Sequence, residues 1–353
     1  MGISFINELY TQMHKKKVLC FGELLFRISP ASNEDMVDKN PMQLYIGGAE
    51  ANVATALARW NVPVKYFTVL PDNFMSRHVI DYLEYKGIYT SSILFSGNRV
   101  GVYYLERGAD LKGKMVYDRD HSSFSELKRG MVDWDKVLRD VEWFNLTAIS
   151  PALNENVADV CLEALEAASQ KNIMISMDLN YRSRLWKYGK CPVEIMPKLA
   201  AHCDVLMGNI WSANSLLGTK IDEQIHEKKS KQAYLDHAEA TSKELIQMFP
   251  KCKVAANTFR FDGDNNYINY YTALFMNGKQ YHSPEFSCQG VMDRSGSGDC
   301  FMGGLIYGLY HQQEPQEILD YATAAAFGKL QEKGDATGQD IFTVKKLKQE
   351  AEE

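Results

Sequence analysis

Short apolar runs alternate with helix-like periods through most of this chain, and that alternation restricts the fold more than any other feature. Residues 18–21, 65–70, 147–150, 173–177, 205–207 and 254–256 read as buried strands. Between them, 51–60, 77–86, 157–171, 193–202 and 238–248 carry apolar residues at helical spacing. Strand, helix and strand in succession build a largely parallel sheet with helices on both faces, an α/β fold. Ligands in such sheets collect beyond the carboxyl ends of the strands.

Two stretches break the alternation. Residues 23–46 and 100–119 hold extended segments with no helix between them, and 101–106 is separated from 114–117 by Gly108 and Gly113, as in a hairpin. They are expected to pair into a small β-sheet lid over the strand ends. Asn277-Gly278, between 270–276 and 279–283, predicts a two-residue hairpin at one edge of the main sheet. The expected organisation is one domain over 17–342, an N-terminal extension over 1–16, read as a short extra helix or a leader, and a charged C-terminal helix or tail over 343–353.

Composition excludes several classes. The 353 residues are 45% hydrophobic and 24% charged, enough to bury a core without staples. With 45 acids against 39 bases the net charge is -6, and Lys15–Lys17 is too short a basic run to suit nucleic acid or an anionic membrane. The 7 cysteines and 8 histidines show neither C-x-x-C nor H-E-x-x-H spacing, which fits reduced thiols and no zinc site. No apolar run reaches spanning length and no signal peptide is evident, so a cytoplasmic protein is expected.

The chemistry concentrates in glycine-led helix starts. In Asp293-Arg-Ser-Gly296-Ser297-Gly298-Asp299, glycines allow backbone N–H groups to approach an anion at the positive end of a helix. Asp299 in the first turn could take a proton from a hydroxyl attacking a phosphate held there. A loop whose aspartate only complements the helix dipole accounts for the motif equally well. Gly47-Gly48-Ala-Glu-Ala-Asn52 is a second such start, with Asn52 in the first turn, and it also reads as a tight turn before a closely packed helix. After the strand at 173–177 come Asn180, Tyr181, Arg182 and Arg184, suited to holding a carboxylate. Asn209 follows the strand at 205–207, placed for phosphate or magnesium or simply to cap a helix. Tyr103, Tyr104, Arg107, Tyr117 and Arg119 lie on the lid, able to enclose a sugar acid or only to pack.

In order and spacing these segments resemble the ribokinase-like (PfkB) carbohydrate kinases over about 17–340. Within that family Gly47–Asn52, Leu70-Pro-Asp-Asn73, 178–186 and 293–304 look most like the 2-keto-3-deoxygluconate kinases. The resemblance implies transfer of a phosphoryl group from ATP, with Mg2+, to a primary hydroxyl of a sugar acid, and a monovalent cation as a further candidate. It implies Asp299 as catalytic base, with Gly296, Ser297 and Gly298 as the anion hole. Gly47, Gly48, Asn52, Tyr103, Arg182 and Asp299 would contact substrate, and Asn209, Arg260, Gly296 and Gly298 the nucleotide. Metal ligands stay unassigned. A homodimer through the lid is the implied assembly. The chain departs from the family pattern at Ser212, where an acid is usual, and over 257–264, which replaces a Gly-rich nucleotide segment, and it has Leu105 where many keto-deoxygluconate kinases place an arginine. A kinase of a neutral sugar (fructose or ribose) and a non-catalytic sugar-binding homologue remain as alternatives.

Overall fold

Strand β1 (Lys17–Phe21) is buried along its whole length. Its successive side chains divide between two cores: Val18 and Cys20 enter one, Leu19 and Phe21 the other. A strand buried on both faces belongs in the middle of a covered parallel sheet, and its unbroken apolar sequence follows from that. The computed structural model describes residues 16–31, 41–106, 114–228, 230–263 and 267–352. Arg107, Gly108, Gly113 and all but Lys16 of the N-terminal extension lie outside them.

The chain continues through β2 (Leu25–Pro30), β3 (Met42–Gly47), α1 (Ala49–Arg59), β4 (Val64–Phe67), β5 (Val69–Leu70), α2 (Phe74–Tyr85), β6 (Leu94–Phe95), β7 (Gly101–Leu105) and β8 (Met115–Asp118). Then come α3 (Trp134–Val137), β9 (Val141–Thr147), α4 (Glu155–Gln170), β10 (Met174–Asp178), α5 (Pro192–Ala200), β11 (Val205–Gly208), α6 (Ile210–Leu217) and α7 (Lys231–Met248). The last part holds β12 (Val254–Asp262), β13 (Ile268–Met276), β14 (Lys279–His282), β15 (Phe286–Cys288), α8 (Ser297–Tyr310), α9 (Pro315–Lys329) and α10 (Ile341–Glu352).

The main sheet runs β14-β13-β12-β11-β10-β9-β1-β4, with β15 also on β13. Strands β4, β1, β9, β10, β11 and β12 are parallel, and the later hairpin is antiparallel. Helices α1, α8 and α9 cover one face through Leu57, Phe301 and Ala322, and α4 and α5 cover the other through Val160 and Leu199. The fold is the expected α/β arrangement. Asn277 and Gly278 take φ of 55° and 76°, the left-handed pair a two-residue hairpin requires.

Three strand expectations need correction. The strand expected at 65–70 divides into β4 in the main sheet and β5, which pairs with β6 in a separate two-stranded sheet. The strand expected at 147–150 lies at Val141–Thr147, and 148–150 form the turn beyond it. Glu142 and Asn145 hide it by interrupting its apolar run. Asn145 is buried with its Oδ1 accepting from Ser176 Oγ at 2.8 Å, and Trp143 Nε1 donates to that serine oxygen at 2.9 Å. Strand β12 extends well past Ala256, because β13 pairs with it from Val254↔Met276 to Asp262↔Ile268.

The two interrupting stretches form a separate sheet in the order β3-β2-β7-β8. Its register aligns Tyr45, Arg27, Tyr103 and Tyr117 in one row, and Leu44, Ile28, Tyr104 and Val116 in the next. Adjacent rows point to opposite faces. Tyr103 and Tyr117 face the cavity beyond the main strands, whereas Leu44 and Val116 are 51% and 60% exposed on the far side. None of the described cysteines is in a disulfide. No described helix is long and apolar enough to cross a membrane.

Candidate active site

A cavity of about 680 Å³ opens where β10, β11 and β12 end, bounded by the lid, the start of α1 and the start of α8. The loop before α8 turns on Gly296, whose φ is 79°. A Cβ on Gly296 would sit 1.8 Å from the Asp335 carbonyl oxygen, so glycine alone fits both the backbone angle and the space. The N–H groups of Ser297, Gly298 and Asp299 precede the first intrahelical bond, which runs from Cys300 N–H to Gly296 O at 2.9 Å. All three lining residues therefore bring free donors to the positive end of a fourteen-residue helix.

Asp299 lies in that first turn, 7% exposed. Asn52 Nδ2 donates to its Oδ2 at 2.7 Å. Burial pushes Asp299 up to about 6, and the Asn52 hydrogen bond and the Arg182 charge restrain it from rising further. Asn52 is held near it by α1, which Gly48 starts at φ 122°. A Cβ on Gly48 would meet the Glu23 carbonyl oxygen at 2.5 Å. Gly47 stands behind the cavity wall, where a Cβ would lie 2.4 Å from Asp335 Oδ2, and it is not a lining residue.

The other predicted residues divide. Arg182 lines the cavity and donates to the Tyr181 carbonyl at 3.2 Å; among the described residues no carboxylate pairs with it. Arg119 does not share that freedom. It is buried and bound to Glu23, with Nε–Oε2 at 2.7 Å, and Ser122 donates to the same carboxylate. Tyr103 keeps its ring on the cavity while its hydroxyl donates to Asp335 Oδ2 at 2.5 Å. Asn209 caps α6, its Oδ1 accepting from Ser212 N–H at 2.9 Å, and also lines the cavity. Arg260 reaches across the start of α8, with Nη1 3.5 Å from Ser297 Oγ.

Sequence reading missed a carboxylate cluster. Glu50 in α1 accepts from Thr147 N–H at 2.9 Å and Thr147 Oγ1 at 2.8 Å. Burial raises it to about 7 even against those bonds. Asp178 at the end of β10 is raised well above the ordinary carboxylate range by burial and by Asp299. Asp178 was visible as a polar residue ending an apolar run, and Glu50 as an acid in the α1 motif. That they meet Asp299 depends on three separate elements.

A family model for pfkB carbohydrate kinases matches residues 15–341. The chain belongs to this family. It is similar to a 2-dehydro-3-deoxygluconokinase of Thermotoga maritima, at 32% identity, a TM-score of 0.86 and coverage of 95% of this chain and 98% of that one. A 2-dehydro-3-deoxygalactonokinase of Haloferax volcanii is 26% identical over 323 residues, 90% of this chain and 92% of its own. An E. coli structure solved with ATP and Mg2+ shares the fold at 17% identity, with a TM-score of 0.75 over 95% of this chain and 99% of that one. The protein is thus a ribokinase-like carbohydrate kinase, and a sugar is its class of substrate.

Proposed function

We propose that this kinase phosphorylates a 2-keto-3-deoxy sugar acid, such as 2-keto-3-deoxygluconate, at its terminal primary hydroxyl, with ATP as donor. The observation that carries the reading is Arg182: a cavity-facing guanidinium, unpaired among the described residues, in the same cavity as Asp299. A free guanidinium suits a carboxylate bidentately, whereas a neutral sugar would leave its charge unanswered. The names of the similar kinases from T. maritima and H. volcanii agree with that chemistry.

Asp299 takes the hydroxyl proton as the sugar oxygen bonds to the terminal phosphorus and the bond to the ADP oxygen breaks. The free N–H groups at the start of α8 receive the charge that develops on the phosphoryl oxygens. Asn52 orients the base, and Arg260 and Asn209 flank the nucleotide side. Among the described residues no three His, Cys, Asp or Glu gather as a metal cage. That fits Mg2+ carried largely by phosphates and water, where it would neutralise phosphate charge. The exposed apolar row of the lid, Leu44 to Val116, supports a homodimer through that face.

ADP release with Mg-ATP and 2-keto-3-deoxygluconate, its galacto epimer, fructose or ribose tests the reading. Arg182→Ala is expected to lower kcat/KM for the acid by roughly 10- to 100-fold, the weight of a charged hydrogen bond. A preference for fructose or ribose, untouched by Arg182→Ala, overturns the acid assignment.

A further inference from the structure

The lid is tied to the anion-hole loop by a buried ion cluster that the phosphoryl-transfer chemistry does not itself use. Arg27, in the cavity-side row of the lid, is 0% exposed. Its Nη2 donates to Asp293 Oδ2 at 2.8 Å, and its Nη1 bonds Asp335 Oδ1. These partners lie 266 and 308 residues away in sequence. The guanidinium is sandwiched against Tyr45, 4.3 Å from the ring centroid. Each aspartate then reaches the machinery. Asp293 Oδ1 accepts from Ser295 N–H at 3.1 Å, one residue before the left-handed Gly296, and its Oδ2 accepts from Gly334 N–H at 3.2 Å. Asp335 accepts the Tyr103 hydroxyl, and its backbone carbonyl closes over Gly296. Behind them Lys329, also 0% exposed, donates to Glu332 O at 3.2 Å and adds a second buried cation.

We propose that Arg27, Asp293 and Asp335 are positioning residues that transmit the posture of the lid to the N–H groups of Ser295 to Asp299. The geometry supports a direct route. Tyr103 and Tyr117 line the cavity in the same row as Arg27, so a sugar pressed on their rings bears on the strands that carry the guanidinium. The guanidinium fixes Asp293, Asp293 fixes Ser295, and Ser295 leads into the turn that aims the anion hole. A kinase gains from this coupling because an anion hole set only under a closed lid does not spend the phosphoryl group on water. The consequence for turnover rests on the sugar-kinase reading above; the mechanical link does not.

The test uses the full chain with Arg27→Lys, which keeps the charge but cannot grip both aspartates, and Asp335→Asn, which keeps shape and loses charge. Amide hydrogen exchange needs no substrate. Exchange at the hydrogen-bonded N–H groups of Ser295 and Cys300, which flank the anion hole, is expected to quicken about tenfold in both variants while β9 to β11 stay protected. In steady-state kinetics kcat is expected to fall about tenfold with KM for ATP nearly unchanged, the mark of an interaction made in the transition state. Asp335→Asn is expected to regain part of the loss relative to Asp335→Ala. Exchange at Ser295 and Cys300 that matches the wild type in folded variants overturns the link. Faster exchange with kcat intact overturns its role in turnover. A wild-type protein inert toward every sugar tested defeats the substrate assignment, and the exchange result still decides the clamp.

Discussion

Asp299 must be ionised to accept a proton, and its burial works against ionisation. Burial raises it to about 6 while the Asn52 amide and the Arg182 charge hold it there. A base in this position is mostly charged at neutral pH and close enough to it to be an effective acceptor. Turnover should therefore be lost as pH falls through about 6 and level off above it. Asp299→Asn should lower kcat by roughly 10²- to 10⁴-fold, the usual weight of a general base. A pH profile flat down to pH 5, or an Asn variant within a few-fold of wild type, would remove Asp299 from this role. The motif proposed to carry the base and its anion hole was legible in the sequence because it is local: glycines, a first-turn acid and a helix start within seven residues. Arg27 was not. It sits in an extended run among apolar neighbours, and its two partners are brought to it only by the assembled fold. Asn209 shows a different limit, since one asparagine at a helix start serves as cap and cavity wall at once, and spacing alone does not separate the two.

At the scale of elements, the lid was recognisable from what it lacked, a helix between extended runs. Its strand order was not, because β2 pairs in parallel with β7 across more than seventy residues of chain. Alternation then leaves Leu44, Ile28, Tyr104 and Val116 on the face turned from the cavity. A four-residue apolar row with Leu44 and Val116 half or more exposed is what a sheet presents to a partner rather than to water. Leu44→Lys is expected to shift the protein from dimer to monomer in light scattering behind size exclusion. The fold should survive, because the side chain contributes little to its own core. An unchanged mass, or a wild-type protein already monomeric at micromolar concentration, would reject the lid as the interface.

Across the whole molecule the same carboxylates that organise the site affect stability. Glu50, Asp178 and Asp299 come from α1, β10 and α8, and burial raises all three. A carboxyl group that titrates higher when folded binds more protons in the native than in the unfolded state between the two values. Stability must then fall as pH rises through the folded value. For Glu50 that window runs from the ordinary 4.5 to about 7. Asp140, held down by Lys17 and Lys65 despite partial burial, and Asp293, held down by Arg27 despite burial, give up their stabilisation only below about pH 3.9, outside this window. His202, lowered by burial, acts in the opposite direction but is a single group. A net charge of -6 adds to the trend, since protonation relieves repulsion. The ligand-free protein should therefore melt higher at pH 5.5 than at pH 7.5, although turnover declines toward the lower value. Glu50→Gln keeps a hydrogen-bond acceptor for Thr147 and removes the charge, so it should narrow that difference by on the order of 2 kcal/mol. Melting at matched ionic strength decides it: a wild-type protein more stable at pH 7.5, or a difference that Glu50→Gln leaves intact, would mean that water or a conformational change screens the cluster in solution.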